Sequence, residues 1–461
     1  MNYISTRGAA PAVDFVSASL LGLAPDGGLY CPDAYPKIAR PTANTPYIES
    51  ATRILKAFAG DSLSETTVRD LANKAYAPFS HQSVAPLTQV GPGRWMLELH
   101  HGPTLAFKDV AMRLIAQLYD YILGQRGEHM TILCATSGDT GGAAAAAFAG
   151  SKNVDLVILH PHNRISPTQR LFMTATGAEN VLNLALEGDF DGTQAILKQL
   201  LADEQFRRRT QLAAVNSINW ARIAAQSVYF AQAQAQLGAA TPIRFVVPTG
   251  NFGDALAGYV AHRCGLLAGF EFVAAVNAND ALTRLFSGKP LTRSAAEPTL
   301  SPAMDIQLPS NFERLCFEAA DRDGAAIAIA YNQLASKGEA PLPEKAATAL
   351  SRMGLSAEPV SDAETLDEMR RTHAETGWIV CPHTAVGLAA ARRGQPMDGA
   401  IVTLATAHAA KFPETVQKAL GLKVSLPDRA AEFASRSEVF DTGPMSIDYV
   451  RARLDALVRG R

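Results

Sequence analysis

The sequence lacks the features that would mark a disulfide-stabilised or metal-binding protein. Its 461 residues include five cysteines, which are scattered and contain no pair at CxxC spacing. That pattern excludes the common zinc and dithiol motifs, and an odd number of cysteines in a long chain argues against a disulfide framework. The histidines show no HExxH spacing either, so we expect no metal site. The cysteines are expected to be buried free thiols in a reducing compartment.

Long apolar runs and an excess of charge of one sign are also missing. No segment approaches the roughly 20 apolar residues that a membrane span requires, and the N terminus has no signal-peptide pattern. The chain has 42 basic and 44 acidic residues, a net charge of -2. Such a balance provides no basic surface for nucleic acid. We therefore expect a cytoplasmic protein that binds neither membranes nor nucleic acid.

The chain does contain an alternation of apolar runs, polar turns and helical segments. The first 90 or so residues have a mostly helical pattern. Apolar runs that lead through a short turn into a helical segment lie at 131–134, 243–247, 378–380 and 400–404. This alternation predicts parallel sheets whose turns gather at the carboxyl edge of the strands, where ligands bind. The length of the chain predicts two or three domains.

Lys108 is a candidate reactive residue because it follows apolar neighbours in the segment HGPTLAFKD. Val110, Leu114 and Leu118 recur every four residues after it, which predicts an amphipathic helix with the lysine near its first turn. Partial desolvation would favour a nucleophilic amine and imine formation. The alternative is a lysine whose stem packs while its ammonium group reaches water.

Two glycine-rich turns are candidate anion sites. Residues 248–254 (PTGNFGD) join a predicted strand to a predicted helix, and their N–H groups suit a phosphate monoester. The pattern is neither GxGxxG nor a Walker A loop. In the second turn, SGDTGG, Ser137 and Thr140 offer hydroxyl groups to a carboxylate, although Asp139 disfavours an anion unless it accepts a hydrogen bond. Purely geometric glycines and ordinary helix capping remain alternatives.

Eight segments resemble threonine synthases over essentially the whole chain. They occur in the order HGPTLAFKD, ATSGDTGG, NSINWARI, VPTGNFGD, NAND, SPAMDIQLPSNFERL, CPHTAVG and ATAHAAKF, after an opening that contains YISTRG and PDGGLY. The resemblance implies the α/β fold of type II pyridoxal-phosphate enzymes, in which two parallel-sheet domains hold the cofactor between them. We expect a mostly helical N-terminal region at 1–95, a smaller domain with the lysine at 96–235, and a larger domain with the phosphate loop at 236–461.

The resemblance also implies the cofactor and the residues that bind it. The cofactor is pyridoxal 5′-phosphate (PLP), with Lys108 as the Schiff-base lysine and catalytic residue. Asp139 would lie beside the cofactor ring, and Thr406 would hydrogen-bond the pyridine nitrogen unless it only satisfies a local backbone donor. The residues expected to bind the cofactor phosphate are Gly250, Asn251, Phe252, Gly253 and Asp254.

The implied reaction converts O-phospho-L-homoserine and water into L-threonine and phosphate. Ser137 and Thr140 would bind the substrate carboxylate, and Arg222 and Lys411 are candidates for the leaving phosphate. Arg222 could instead pair with a surface carboxylate, and Lys411 could complement a helix end. A lyase that eliminates phosphate from O-phosphohomoserine or phosphothreonine is the alternative activity, and a non-catalytic binding protein belongs to a different class. The chain could be a monomer or a homodimer.

Overall fold

A computed structural model describes residues 1–395 and 397–459, and the chain divides into two compact units. The first unit comprises residues 1–72, 81–101 and 217–424, and the second comprises 73–80, 102–216 and the chain from 425 onward. These units differ from the three segments expected from the sequence. Residues 1–72 belong to the unit of the glycine-rich loop, and the C-terminal segment belongs to the unit of Lys108.

The helices of the described residues are, in chain order, α1 (Phe15–Leu21), α2 (Tyr47–Ala59), α3 (Glu65–Tyr76), α4 (Lys108–Arg126), α5 (Asp139–Phe148), α6 (Pro167–Thr174), α7 (Phe190–Ala202), α8 (Glu204–Thr210), α9 (Trp220–Leu237), α10 (Gly253–Arg263), α11 (Ala281–Phe286), α12 (Phe312–Ala319), α13 (Gly324–Lys337), α14 (Glu344–Leu350), α15 (Asp362–Thr376), α16 (Pro382–Arg393), α17 (Pro413–Leu420), α18 (Ala431–Ser435) and α19 (Ile447–Arg459). None of them, within the part of the chain that is described, combines the length and apolar character needed to cross a membrane.

The strands of the same residues are β1 (Tyr3–Ser5), β2 (Tyr30–Pro32), β3 (Leu87–Gly91), β4 (Arg94–Glu98), β5 (Met130–Ala135), β6 (Val154–Pro161), β7 (Val181–Glu187), β8 (Leu212–Ala214), β9 (Ile243–Pro248), β10 (Glu271–Val276), β11 (Leu291–Thr292), β12 (Glu339–Ala340), β13 (Leu355–Pro359), β14 (Ala400–Ala405) and β15 (Asp441–Pro444). Short antiparallel pairs join β1 to β2 and β11 to β12.

The first unit contains a six-stranded sheet, as far as the described residues show, in the order β13-β10-β9-β14-β4-β3. All neighbours are parallel except β3 and β4, which form an antiparallel edge. Strands β9, β14 and β4 run side by side in the same direction, so the turns that follow them lie at one carboxyl edge. The predicted parallel sheet and its strands at 243–247 and 400–404 are therefore confirmed.

The predicted strand at residues 378–380 is wrong. Gly377 ends α15 in a left-handed conformation, with φ 77°, and α16 already begins at Pro382. The short connection leaves room for a single antiparallel bridge, between Val380 and His408. Val380 is buried against α16 and Ile379 packs partly against the same core, whereas Trp378 is exposed, so the run is not a buried strand.

The second unit contains a parallel sheet in the order β15-β7-β6-β5-β8. Its core includes Leu133 and Leu184 from the strands, Leu200 from α7, and Leu454 from the C-terminal helix α19. The predicted strand at 131–134 is confirmed as β5. The predicted amphipathic helix is α4, which begins at Lys108 and buries Val110, Leu114 and Leu118.

Candidate functional site

Lys108 is the first residue of α4 and lies buried in the second unit, with 9% of its surface exposed. The turn before the helix is held by Asp109, whose carboxylate accepts hydrogen bonds from the N–H and hydroxyl of Thr104, at 2.7 and 2.6 Å. The lysine Nζ lies 3.3 Å from Asp139 Oδ2. Its burial argues against the alternative of an ammonium group that extends into water.

Asp139 faces Lys108 at the start of α5 and also binds a residue that the sequence did not suggest. Its Oδ1 accepts a hydrogen bond from Gln169 Nε2 at 3.1 Å. The hydroxyl oxygen of Thr136 accepts from the N–H groups of Gly138 and Gly141, at 2.9 and 3.0 Å, so it performs the local capping. The carboxylate of Asp139 thus contacts both Lys108 and Gln169, while Thr136 satisfies N–H groups of the turn.

The other two polar residues of this turn are more accessible. Ser137 is exposed and Thr140 is half-buried. Gly138 has φ 138°, and a Cβ atom there would lie 2.7 Å from Gln169 Cδ. The turn thus needs glycine at this position, and its hydroxyl groups remain open to a small anion.

The glycine-rich loop lies in the first unit, between β9 and α10, as the sequence predicted. A Cβ atom on Gly250 would lie 2.6 Å from the carbonyl oxygen of Ala303, so the loop has no room for a side chain there. Phe252 adopts a left-handed conformation, with φ 60°, directly before α10 begins at Gly253. The first N–H groups of a helix have no partner within the helix, which makes this a suitable place for an anion.

Neighbouring side chains hold the two ends of the loop. The carbonyl oxygen of Asn251 accepts hydrogen bonds from the backbone N–H and the side-chain amide of Asn311, at 3.1 and 3.2 Å. Asp254 accepts a hydrogen bond from the hydroxyl of Tyr229. Burial and the charge of Asp254 raise the pKa of Tyr229 well above its ordinary value, so the hydroxyl stays protonated as a donor.

Thr406, Lys411 and Arg222 also belong to the first unit. Thr406 directly follows β14 and is buried, and Lys411 is fully buried in a short 3-10 turn, Ala409–Lys411. Arg222 lies in the first turn of α9 and is 4% exposed. Such burial does not fit the alternative in which Arg222 pairs with a surface carboxylate. Thr406 and Lys411 both lie in the segment between β14 and α17, whereas Arg222 lies on α9.

Glu98, His100 and His101 form a polar cluster where β4 ends. Among the described residues, they bring possible metal-ligand atoms within 4.8 Å of one another. His101 Nε2 is 2.7 Å from Glu98 Oε2, a hydrogen-bond distance that is shorter than the roughly 3.3 Å between two nitrogen or oxygen ligands of a tetrahedral zinc ion. We therefore interpret the cluster as a hydrogen-bonded group. The expectation that the protein holds no metal remains a prediction.

Comparison with known proteins identifies the class of enzyme. Residues 87–336 match the family described as pyridoxal-phosphate dependent enzymes. Residues 2–76 match the threonine synthase N terminus, and residues 384–453 match the threonine synthase C-terminal family. The chain therefore belongs to the pyridoxal-phosphate dependent enzymes and, among these, to the threonine synthase family.

Individual relatives agree with this assignment. The chain is 42% identical to a threonine synthase of Pseudomonas aeruginosa, over 98% of this chain and 97% of the relative. It is 35% identical to a protein named threonine synthase-like 2 of Xenopus laevis, over 91% and 90% of the two chains. A crystal structure of PLP-bound threonine synthase from Brucella melitensis superposes with a TM-score of 0.95, at 42% identity and with 100% of both chains covered. The predicted fold class is confirmed.

Proposed function

We propose that this protein is a threonine synthase, which converts O-phospho-L-homoserine and water into L-threonine and phosphate with PLP as its cofactor. Membership of the family over nearly the whole chain supports the proposal. The observation that carries it is the buried Lys108 at the start of α4, with Asp139 3.3 Å from its amine. A buried lysine amine with a defined partner is the group that an aldehyde cofactor requires.

The residues of the two glycine-rich turns fit the cofactor and the substrate. The loop of Gly250, Asn251, Phe252, Gly253 and Asp254 offers main-chain donors and a helix N terminus to a phosphate group. Because a Cβ atom on Gly250 would meet the carbonyl of Ala303, no side chain fills this position. Ser137 and Thr140 would bind the substrate carboxylate beside Asp139.

Lys108 would have two tasks in the reaction. Bound PLP supplies an electron-withdrawing ring that stabilises negative charge on the substrate carbons. The amine of Lys108 would hold the cofactor covalently, and after release it would move protons at Cα and Cβ of the substrate. Asp139 and Gln169 would orient that amine, since both are buried and linked by a hydrogen bond.

Thr406, Arg222 and Lys411 would complete the machinery. A threonine hydroxyl carries no charge, so Thr406 would bind the pyridine nitrogen without holding it protonated, which keeps the ring a moderate electron sink. The leaving phosphate requires positive charge, and Arg222 and Lys411 are buried cations. Their burial strengthens an interaction with an anion, because water does not screen it.

Borohydride reduction of the purified protein with PLP, followed by peptide mapping, tests the proposal. The reduced adduct is expected on Lys108, and incubation with O-phospho-L-homoserine is expected to yield threonine and phosphate in equal amounts. An adduct on an exposed lysine such as Lys418, or none, would contradict the proposed role of Lys108.

A lyase that eliminates phosphate from O-phosphohomoserine or phosphothreonine is the second candidate. Both activities share the early proton transfers and the loss of phosphate, so the same residues serve either. The products separate them: the lyase would release ammonia and 2-oxobutyrate, and the synthase releases threonine. Quantifying both products from one reaction decides between the two.

A further inference from the structure

The carbonyl of Asn251 is held by donors from outside the glycine-rich loop. The backbone N–H of Asn311 lies 3.1 Å from this oxygen, and its side-chain Nδ2 lies 3.2 Å away. The hydroxyl of Ser310 donates to the side-chain oxygen of Asn251 at 3.2 Å. Two donors on one carbonyl oxygen occupy both of its lone pairs, so the direction of this carbonyl is well defined.

The direction of the carbonyl sets the orientation of the next N–H group. A peptide unit is planar and trans, so the N–H of Phe252 points away from the side on which the Asn251 oxygen lies. Phe252 also has a left-handed backbone, with φ 60°, which is unfavourable for a residue with a side chain. Such a conformation persists where neighbouring contacts impose it, and the hydrogen bonds from Asn311 are contacts of this kind.

Arg314 determines which way the amide of Asn311 faces. Its Nη1 donates to Asn311 Oδ1 at 2.6 Å, and a guanidinium group has donors only. The atom facing Arg314 must therefore be the amide oxygen. The amide nitrogen is left facing the carbonyls of Asn251 and Ser217, the latter at 3.0 Å.

Arg314 is itself fixed by the N-terminal region and the start of α9. Its Nε and Nη2 donate to the carbonyl oxygen of Tyr30 at 2.9 and 2.7 Å, and Nη2 also donates to Ile218 at 2.6 Å. The guanidinium lies 5.5 Å from the ring centre of Trp220. Burial lowers the pKa of Arg314 to about 10, which leaves the group charged at neutral pH.

We infer that Asn311 and Arg314 are positioning residues for the cofactor phosphate. Arg314 orients the amide of Asn311, which holds the carbonyl of Asn251 and thereby directs the N–H of Phe252 for a phosphate group. Strand β2 of the N-terminal region takes part in this arrangement through the carbonyl of Tyr30. The inference rests on the proposed function, since it assigns the anion at this loop to the phosphate of PLP.

The test measures PLP affinity in the 461-residue chain after the cofactor has been removed. In Asn311→Asp, a carboxylate oxygen replaces the amide nitrogen and faces the Asn251 carbonyl, while the contact with Arg314 is kept. We expect the dissociation constant for PLP to rise about tenfold or more. In Arg314→Lys, a single ammonium group cannot replace the forked contacts, and a similar rise is expected. The double variant is expected to be little worse than either single one.

Two matched controls separate positioning from general damage. Arg322→Lys changes an arginine that donates to the carbonyls of Pro32 and Asp33, also in the N-terminal region, and to Glu318. Asn332→Asp makes the same amide-to-carboxylate change at an exposed position of α13. Both controls are expected to bind PLP within about twofold of the unchanged protein. Thermal unfolding and the 31P chemical shift of the bound phosphate are recorded for every variant, and the shift is expected to move only in the Asn311 and Arg314 variants.

The possible results separate this inference from the proposed function. If the unchanged protein binds no PLP at Lys108, the proposed function fails and the inference fails with it. If the unchanged protein binds PLP at Lys108 and Asn311→Asp binds it equally tightly with the same 31P shift, only the inference is overturned. A lower unfolding temperature without a change in affinity would assign a purely structural role to the pair and would also overturn it.

Discussion

The surroundings of Lys108 and the glycine-rich loop are built in different ways. In the second unit, the candidate reactive groups are side chains. Asp139 contacts both Lys108 and Gln169. In the first unit, the loop from Gly250 to Asp254 offers main-chain groups, and outside residues set its geometry. Substitutions near the lysine should therefore change reactivity, whereas substitutions at the loop should change how well an anion is held.

Lys108→Ala is the most severe test of this distinction. The substitution removes the amine, so we expect threonine formation to fall by at least about 10³-fold. The loop in the other unit is unchanged, so PLP should still bind without a covalent link, and inorganic phosphate should compete with it. Equilibrium dialysis and product assays measure the two effects. Complete loss of PLP binding would show that the loop does not hold the phosphate independently.

Gly250→Ala tests the loop itself. The added Cβ atom would lie 2.6 Å from the carbonyl oxygen of Ala303, so the backbone must shift, at a cost of about 1–3 kcal/mol. We expect PLP to bind about tenfold more weakly or worse. Gly269→Ala is the control, because a Cβ atom there has nothing within 4 Å. Equal affinities of the two variants would contradict the proposed phosphate site.

Asp139→Asn tests whether the charge facing the lysine matters before any cofactor is bound. The change removes the negative charge that faces the buried Nζ, and we expect the apoprotein to lose about 1–3 kcal/mol of stability in urea unfolding. Glu204→Gln, in the same unit, breaks an exposed pair with Arg208 and should cost no more than about 0.5 kcal/mol. Similar losses of stability in both variants would show that the buried pair contributes no more to the free energy of unfolding than the exposed pair.

Acid unfolding should give the smallest effects. Burial alone would raise the pKa of Glu98, but hydrogen bonds from His101 and Thr88 and the nearby histidine charges lower it below 4.5. Because the pKa in the folded protein is the lower one, Glu98 stabilises the fold above about pH 4.5. This contribution disappears as the pH falls through the lowered value. Glu98→Gln should therefore reduce the unfolding temperature at pH 6 and have less effect at pH 3.

Glu438 provides the corresponding test in the second unit. A hydrogen bond from Arg170 lowers its pKa against the effect of partial burial, with a further contribution from Thr174. Glu438→Gln should also reduce the unfolding temperature at pH 6, and the reduction should be smaller at pH 3. Glu339→Gln, at an exposed position of β12, serves as the control and should leave the unfolding temperature unchanged at both pH values. If Glu98→Gln or Glu438→Gln changed the unfolding temperature more at pH 3 than at pH 6, the lowered pKa of that glutamate would be contradicted.

Local patterns predicted those features that neighbouring residues determine. The four-residue spacing after Lys108 placed it at the start of a helix, and the apolar run at 243–247 followed by glycines identified the loop. The run at 378–380 misled because only Val380 is fully buried beside α16 and Trp378 is exposed, and periodicity in so short a run does not separate a strand from a connection.

The supporting residues could not be predicted because they are distant in sequence. Gln169 binds Asp139 from 30 residues away, and Asn311 binds Asn251 across 60. Neither has a local signature, since an amide side chain is common on surfaces. Arg314 lies within a resembling segment, but its contact with Tyr30 spans 284 residues. The membership of residues 1–72 in the unit of the loop was missed for the same reason.

The buried thiols offer a way to observe the two units separately. All five cysteines are buried, and burial raises the pKa of Cys31, Cys264 and Cys316 to about 12. A thiol reagent attacks the thiolate, so alkylation should proceed only in molecules that have opened. Cys134 lies in the second unit and the other four lie in the first. Timed alkylation followed by mass spectrometry would therefore report the opening of each unit in the natural sequence, without an added label.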